Sequence, residues 1–399
     1  MTVTSGSDAY YDPYDVTIDA DPYPTFRRLR EEAPLYRNDA HDFFALSRFA
    51  DVQAGLHDRA AYISGRGGII ELIKADIEMP PGVIIFEDPP IHTMHRSLLS
   101  RVFTPRKMNA LEPRVRAFCA RSLDPLVGAG GFDFVADLGA QMPMRVIGML
   151  LGIPESDQEA VRDNADATLR TKPGEAMRFS QEKFATGEAF AEYIDWRADH
   201  PSDDLMTELL HAEFEDEAGT RRRLTREEVL TYVAVVAGAG NETTTRLIGW
   251  TGKVLAEHPD QRRQLVEDPT LVPNAIEELL RYEPPAPHVA RYVARDVEHY
   301  GVAVPEVSNM VFLVGSANRD DRRYPDGDSF DIHREVGQPL TFGYGIHYCL
   351  GAALARLEGR VALEEVLKRF PEWDLDMANA RMAPTSTVRG WDAMPVVIP

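Results

Sequence analysis

Cysteine is nearly absent: the 399 residues include two, Cys119 and Cys349. Two thiols cannot build a disulfide framework, and neither stands in a CxxC or other paired spacing, so zinc and iron–sulfur sites that need several thiolates are excluded. The scarcity also fits a reducing compartment. Basic residues are outnumbered, with 43 Lys and Arg against 64 Asp and Glu and a formal net charge of −21, which argues against nucleic acid as a general partner. No apolar run approaches the ~20 residues that span a bilayer. The polar start from Met1 to Val16 has neither a basic n-region nor an apolar h-region. The expectation is a cytoplasmic protein with no membrane anchor. Repeats and low-complexity linkers are missing too, so one domain is expected over 1–399, with 1–12 as a disordered tail.

Against these absences stands one dense stretch, Phe342 to Arg356. Glycines at 343, 345 and 351 suit a turning loop that comes close to a flat ligand. Behind it Leu350, Leu354, Leu357, Val361, Val366, Leu367 and Phe370 recur at helical spacing, which puts Cys349 at a helix N-terminus. There the macrodipole and unpaired amides favour thiolate over thiol. A nucleophilic cysteine needs a converging histidine, and His347, two residues away, is expected to point elsewhere. A small cysteine packed in a core is the plain alternative, and the glycines speak against it. A single axial thiolate to haem iron needs only one Cys, clearance for the macrocycle and amides aimed at the sulfur. This stretch supplies all three.

Phe342, Gly345, His347, Cys349 and Gly351 match every fixed position of the signature of the cytochrome P-450 superfamily of haem-thiolate monooxygenases, which the chain resembles over roughly residues 13–399. The resemblance implies a mainly α fold with a smaller β region (α+β), a triangular helix-rich prism with a long central helix over haem b. It also implies Cys349 as the iron ligand, Phe342 as a shield over the sulfur with Gly351 beside it, and His347 as a hydrogen-bond partner of a haem propionate.

Along the chain, helical periodicity dominates from about 107 to 285, with helices expected over 108–126, 137–152, 156–170, 176–198, 202–213, 226–255, 259–266 and 271–282. Strands gather toward the two ends. Residues 62–85, with Ile69, Ile70 and Leu72 among glycines and prolines, read as a movable pocket wall, and 165–195 as a lid that sets substrate choice. His92 and Arg96 are four apart and share a helix face suited to a carboxylate, or simply form an amphipathic helix start. Resemblance to the family's propionate-binding helix implies the first.

Thr225 and Glu228 form a capping box that opens a helix through Gly238 and Gly240, each costing roughly 1 kcal/mol against Ala. Small residues there let a flat ligand approach, or simply let the helix pack closely. The pattern Ala239, Gly240, Glu242, Thr243, Thr244 resembles the family's oxygen-activating helix, implying Glu242 and Thr243 as the proton-relaying acid and alcohol. Glu278 and Arg281, completed by Arg334, resemble the family's structural charge network, and Arg291 its third propionate partner. Val235, Ala239, His288, Val289 and Val388 join the residues of the 62–85 wall as an expected apolar substrate pocket, with His288 as its polar anchor. One departure stands out: Val307 occupies the place of the family's glycine in a hairpin turn.

The function implied is insertion of one atom of dioxygen into a small or medium apolar substrate of terpenoid, fatty-acid, sterol or polyketide type. Electrons would come from a ferredoxin docking near Arg101, Arg106, Arg114, Arg356 and Arg360, a basic run that is otherwise a solvated face. A peroxide-driven haem enzyme and a non-catalytic haem sensor are the rivals. The Glu242–Thr243 pair is surplus to both.

Overall fold

The computed structural model describes residues 8–178, 190–216 and 218–399. Its organising element is a helix of 32 residues, Arg226–Glu257, opened by the anticipated capping box: Thr225 Oγ1 accepts from the Glu228 amide while Glu228 accepts from the Thr225 amide at 2.7 Å. Leu230, Val233, Leu247, Trp250 and Val254 bury several sides of this helix, so it threads the largest core instead of lying on it. Two of its glycines are packing devices. A Cβ at Gly252 would meet the Phe134 ring at 2.5 Å, and one at Gly240 would meet Ile147 at the same distance. Gly240 therefore makes room for a neighbouring helix, Met142–Leu151.

Helices and strands together make an α+β fold. A five-stranded sheet runs in the order Leu35–Asn38, Phe43–Leu46, Asn309–Phe312, Val289–Val293, Tyr62–Ile63, with only the pair Phe43–Leu46 and Asn309–Phe312 parallel. Strand alternation puts Val289 and Arg291 on one face and Ala290 on the other, in a core with Phe26, Leu29 and Val311. That core also takes Tyr11, which is 3% exposed and whose carbonyl accepts from Asn38 Nδ2 at 2.9 Å. The expected tail over 1–12 thus ends earlier, because an aromatic ring at its far end has a core to enter.

The helical run is broken where sequence pattern alone was silent. Gly131–Asp133 is a strand paired to the C-terminal Pro395–Val397, and Phe134–Gly139 is a single π-turn. Glu213–Glu215 and Arg221–Arg223 form a hairpin whose turn is bound by Asp216 to the amides of Ala218 and Thr220. The helix expected over 176–198 is Ala191–Asp199 within the described residues, and 179–189 of the expected lid lie outside them.

The loop before Cys349 is held from behind. Glu278 and Arg281, both 0% exposed, pair at 2.6 Å, and Arg334 reaches the same carboxylate at 3.2 Å. Arg281 spends all five N–H donors, two on Glu278 and three on the carbonyls of Asn318, Gly327 and Ser329. Asn318 passes the order onward, accepting from the Leu340 amide and donating to Thr341, whose hydroxyl bonds Leu280 O at 2.6 Å. Asn318 and Thr341 were not singled out from sequence.

Candidate active site

The chain enters the site through a turn at Leu340–Phe342 and passes Gly343 and Gly345, at φ +72° and +70°. At Gly345 a side chain would also meet Leu56 O at 3.3 Å, so both conformation and space demand glycine. The Cys349 amide donates to Phe342 O at 2.7 Å, closing the loop on the phenyl ring, which Arg356 covers at 4.5 Å. A helix, Ala352–Arg369, starts three residues beyond Cys349.

Amides of Gly351 and Ala352 point to the sulfur and pull its pKa down, as do Arg96 and Arg356, yet burial is the larger effect and pushes the thiol above its ordinary value. In the polypeptide alone, desolvation thus opposes the helix terminus at this sulfur. Cys349 nonetheless has accessible surface. A Cβ built on Gly351 would touch nothing but the sulfur, at 4.0 Å, so there is open space beside it.

His92, Arg96, Arg291 and His347 converge near this loop. The His92 and His347 rings lie 4.3 Å apart; Arg96 donates to Tyr348 O, Arg291 to Ala290 O, and His347 Nε2 sits 3.0 Å from Ser64 Oγ. None of the four is in an ion pair among the described residues. Asp88, the carboxylate nearest Arg291, is occupied by the amides of Ser64 and Gly65. The electrostatic result is frustration. Burial lowers Arg291 to about 10, and burial plus Arg291, His92 and Arg96 lower His347 to about 3. His92 Nε2 is buried without a partner. Such a cluster is complementary to a ligand carrying carboxylates.

On the central helix, Thr243 donates to Ala239 O at 3.0 Å, and a Cβ on Gly238 would meet no atom within 4 Å. Ala239 is exposed although Val236 and Ala237 beside it are buried, so this stripe borders internal space. Glu242, one residue from Thr243, is 3% exposed and is gripped by Arg246 one turn on. Sequence reasoning passed over Arg246; its spacing of four from Glu242 was the available signal.

Other expected pocket residues divide. Val289 shares the strand face of Arg291, and Val235 and Ile69 are half-buried. Ile70 instead packs into the sheet-side core with Phe26 and Val311, and Leu72 lies against Gly67. His288 and Val388 line a cavity of about 20 Å3 with Tyr11 and Ser386, where His288 Nδ1 is 3.4 Å from the Tyr11 hydroxyl. That volume suits one water, not an organic substrate. Of the basic residues, Arg356 is paired with Glu277, and Arg360 with Glu112 and Glu364. Arg101, Arg106 and Arg114 are exposed and in no ion pair among the described residues.

The sequence profile of the cytochrome P450 family matches residues 175–387. Cytochrome P450 130 of Mycobacterium tuberculosis is 36% identical over 90% of each chain. Vitamin D(3) 25-hydroxylase of Pseudonocardia autotrophica is 33% identical over 100% of this chain and 99% of its own. Among solved structures, CYP109E1 of Bacillus megaterium in complex with testosterone superimposes with a TM-score of 0.86 at 27% identity, covering 96% of this chain and 99% of that one.

Proposed function

The chain belongs to the cytochrome P450 family of haem monooxygenases, and from that premise we propose that it inserts one oxygen atom into an apolar substrate using electrons from a ferredoxin. Haem b, bound through a cysteine thiolate, supplies the dioxygen-activating chemistry. Cys349 is the thiolate in this reading, since the amides of Gly351 and Ala352 are aimed at its sulfur and its own amide closes the loop on Phe342 O. The single observation that carries the assignment is the uncompensated cluster of His92, Arg96, Arg291 and His347 beside that cysteine, which the two propionates would neutralise.

Thr243 would hold a water with its hydroxyl, and Glu242 would pass protons toward it. A sterol or secosteroid is the first substrate class to test, because relatives that hydroxylate vitamin D(3) or bind testosterone share the fold; terpenoids, fatty acids and polyketides follow. Arg101, Arg106 and Arg114 would meet an acidic ferredoxin, whereas Arg356 and Arg360 are already neutralised by glutamates. A cytoplasmic location fits the charge and the two cysteines.

The test is the reduced carbon monoxide complex of the haem-loaded protein, expected to show the strongly red-shifted Soret band of thiolate ligation. C349S should lose that shift; its survival, or ligation through a histidine nitrogen, overturns the assignment. Turnover with ferredoxin, reductase and a nicotinamide donor should exceed turnover with peroxide alone, and the reverse result would favour the peroxide-driven rival.

A further inference from the structure

Glu242 does not sit alone behind the central helix. Its carboxylate is bonded by Arg246 Nη2, while Arg246 Nη1 bonds Trp391 O and reaches Asp392 Oδ1 at 3.1 Å. Asp392 is bound in turn by Arg170, at 2.5 and 3.1 Å to its two oxygens. Four charges of alternating sign thus run from a buried acid through a guanidinium that is 2% exposed to an arginine that is 44% exposed. The niche is built: a Cβ on Gly390 would meet Arg246 Cδ at 2.7 Å, so the glycine makes room for the arginine.

We propose that Asp392 is a positioning residue for Glu242: by sharing Arg246 it limits how firmly the guanidinium holds the Glu242 carboxylate ionised, and Arg170 sets how strongly Asp392 competes. This rests on the reading of Glu242 as the proton-relaying acid. A relay must be protonated by solvent and release that proton toward Thr243 in each cycle. An acid locked to a private arginine takes up protons poorly, and an acid whose arginine is shared takes them up more readily. Among the described residues, the other charged groups on the elements packed here have partners of their own, Arg145 donating to Ser122 Oγ at 3.3 Å. Arg162 pairs with Glu159 and Asp163, Asp137 accepts from the Asp133 amide, and Glu358 is bonded to Thr244.

The proposal predicts opposite signs for two substitutions. D392N removes the competitor, leaves Arg246 to Glu242, and lowers the midpoint at which Glu242 protonates. R170Q frees Asp392 to draw harder on Arg246 and raises that midpoint. Each shift should be about half a pH unit, roughly a threefold change in proton affinity. The readout is infrared titration of the Glu242 carboxyl band in haem-loaded protein, isolated by subtracting the E242Q spectrum. The fraction of electrons recovered as product is followed over the same pH range. Shifts in the same direction, or none, overturn the proposal. Should D392N fail to fold, R170Q at its half-exposed site decides alone. If the band shifts as expected while E242Q leaves electron recovery unchanged, the coupling of Asp392 to Glu242 stands and the relay reading falls.

Discussion

Two clusters of charge near the loop around Cys349 are built in opposite ways, one on the fully buried Glu278 and Arg281, the other half-buried around His92. In the Glu278–Arg281–Arg334 cluster every donor of Arg281 is spent, and Glu278 accepts also from the Asp331 amide at 2.9 Å. In the His92–Arg96–Arg291–His347 cluster, Arg291 donates to one carbonyl and His92 Nε2 to nothing. Burial is tolerable for the first because its charges cancel within the protein. The second is costly to the polypeptide alone and becomes favourable when a dianionic ligand enters. In the reading proposed above, satisfied charge belongs to scaffold and unsatisfied charge to the ligand site.

The sharpest way to break that comparison is to cut each cluster. E278A strands Arg281, at 0% exposure, and Arg334 without their carboxylate, and should cost about 3–5 kcal/mol. Denaturant unfolding would show it, along with poor haem incorporation. By contrast R291L removes a half-buried cation that is in no ion pair among the described residues, so haem-free protein should keep or gain stability while losing affinity for haem. Equal destabilisation by both variants would erase the distinction between scaffold and ligand site.

A weaker effect sharpens the same contrast through pH. His347 in the folded chain titrates near 3, and His92 is also lowered, chiefly by burial. Their folded pKa values lie below the unfolded ones, so the unfolded state binds protons first. Stability is whole above about 6.5 and is lost as pH falls from there toward 3, at up to about 1.4 kcal/mol per pH unit per group. Haem-free protein should therefore weaken steeply between these limits, and H347Q should flatten the slope. Haem-loaded protein should show less of it, since propionates favour the protonated imidazoles. A slope that survives H347Q and is the same with and without haem would remove the electrostatic argument.

Much of this was legible because the signals were local. Gly345, His347, Cys349 and Gly351 are fixed within one loop, Thr225 and Glu228 within one helical turn, and the 3.6-residue pattern gave the central helix to within two residues at its C-terminus. What escaped depended on partners distant in sequence. Glu277 takes Arg356 from 79 residues away, so a basic run read as a docking face is partly neutral. Ile70 answers to a sheet-side core that sequence spacing cannot locate. Arg246 carried a local signal in its spacing from Glu242, but its second partner, Asp392, and the space left by Gly390 arrive from far along the chain.

Val307 supplies the smallest effect and a scale for the others, because its cost is one of backbone and not of charge. Where the family has glycine, this chain keeps the turn and forces valine to φ +74°, with the Val307 amide still bonded to Val293 O at 2.9 Å. A left-handed conformation costs an L-residue roughly 1–2 kcal/mol, and a β-branched one no less. The side chain is 67% exposed, so its removal leaves no cavity. Glycine gives back part of the gain through the entropy of its unfolded chain. V307G should thus stabilise the protein by about 1 kcal/mol, raising the denaturation midpoint without altering haem binding or the acid-side slope. A loss of stability would mean that the turn depends on the valine side chain, and a change in haem affinity would mean that the hairpin couples to the cationic cluster through Val293 and the strand bearing Arg291.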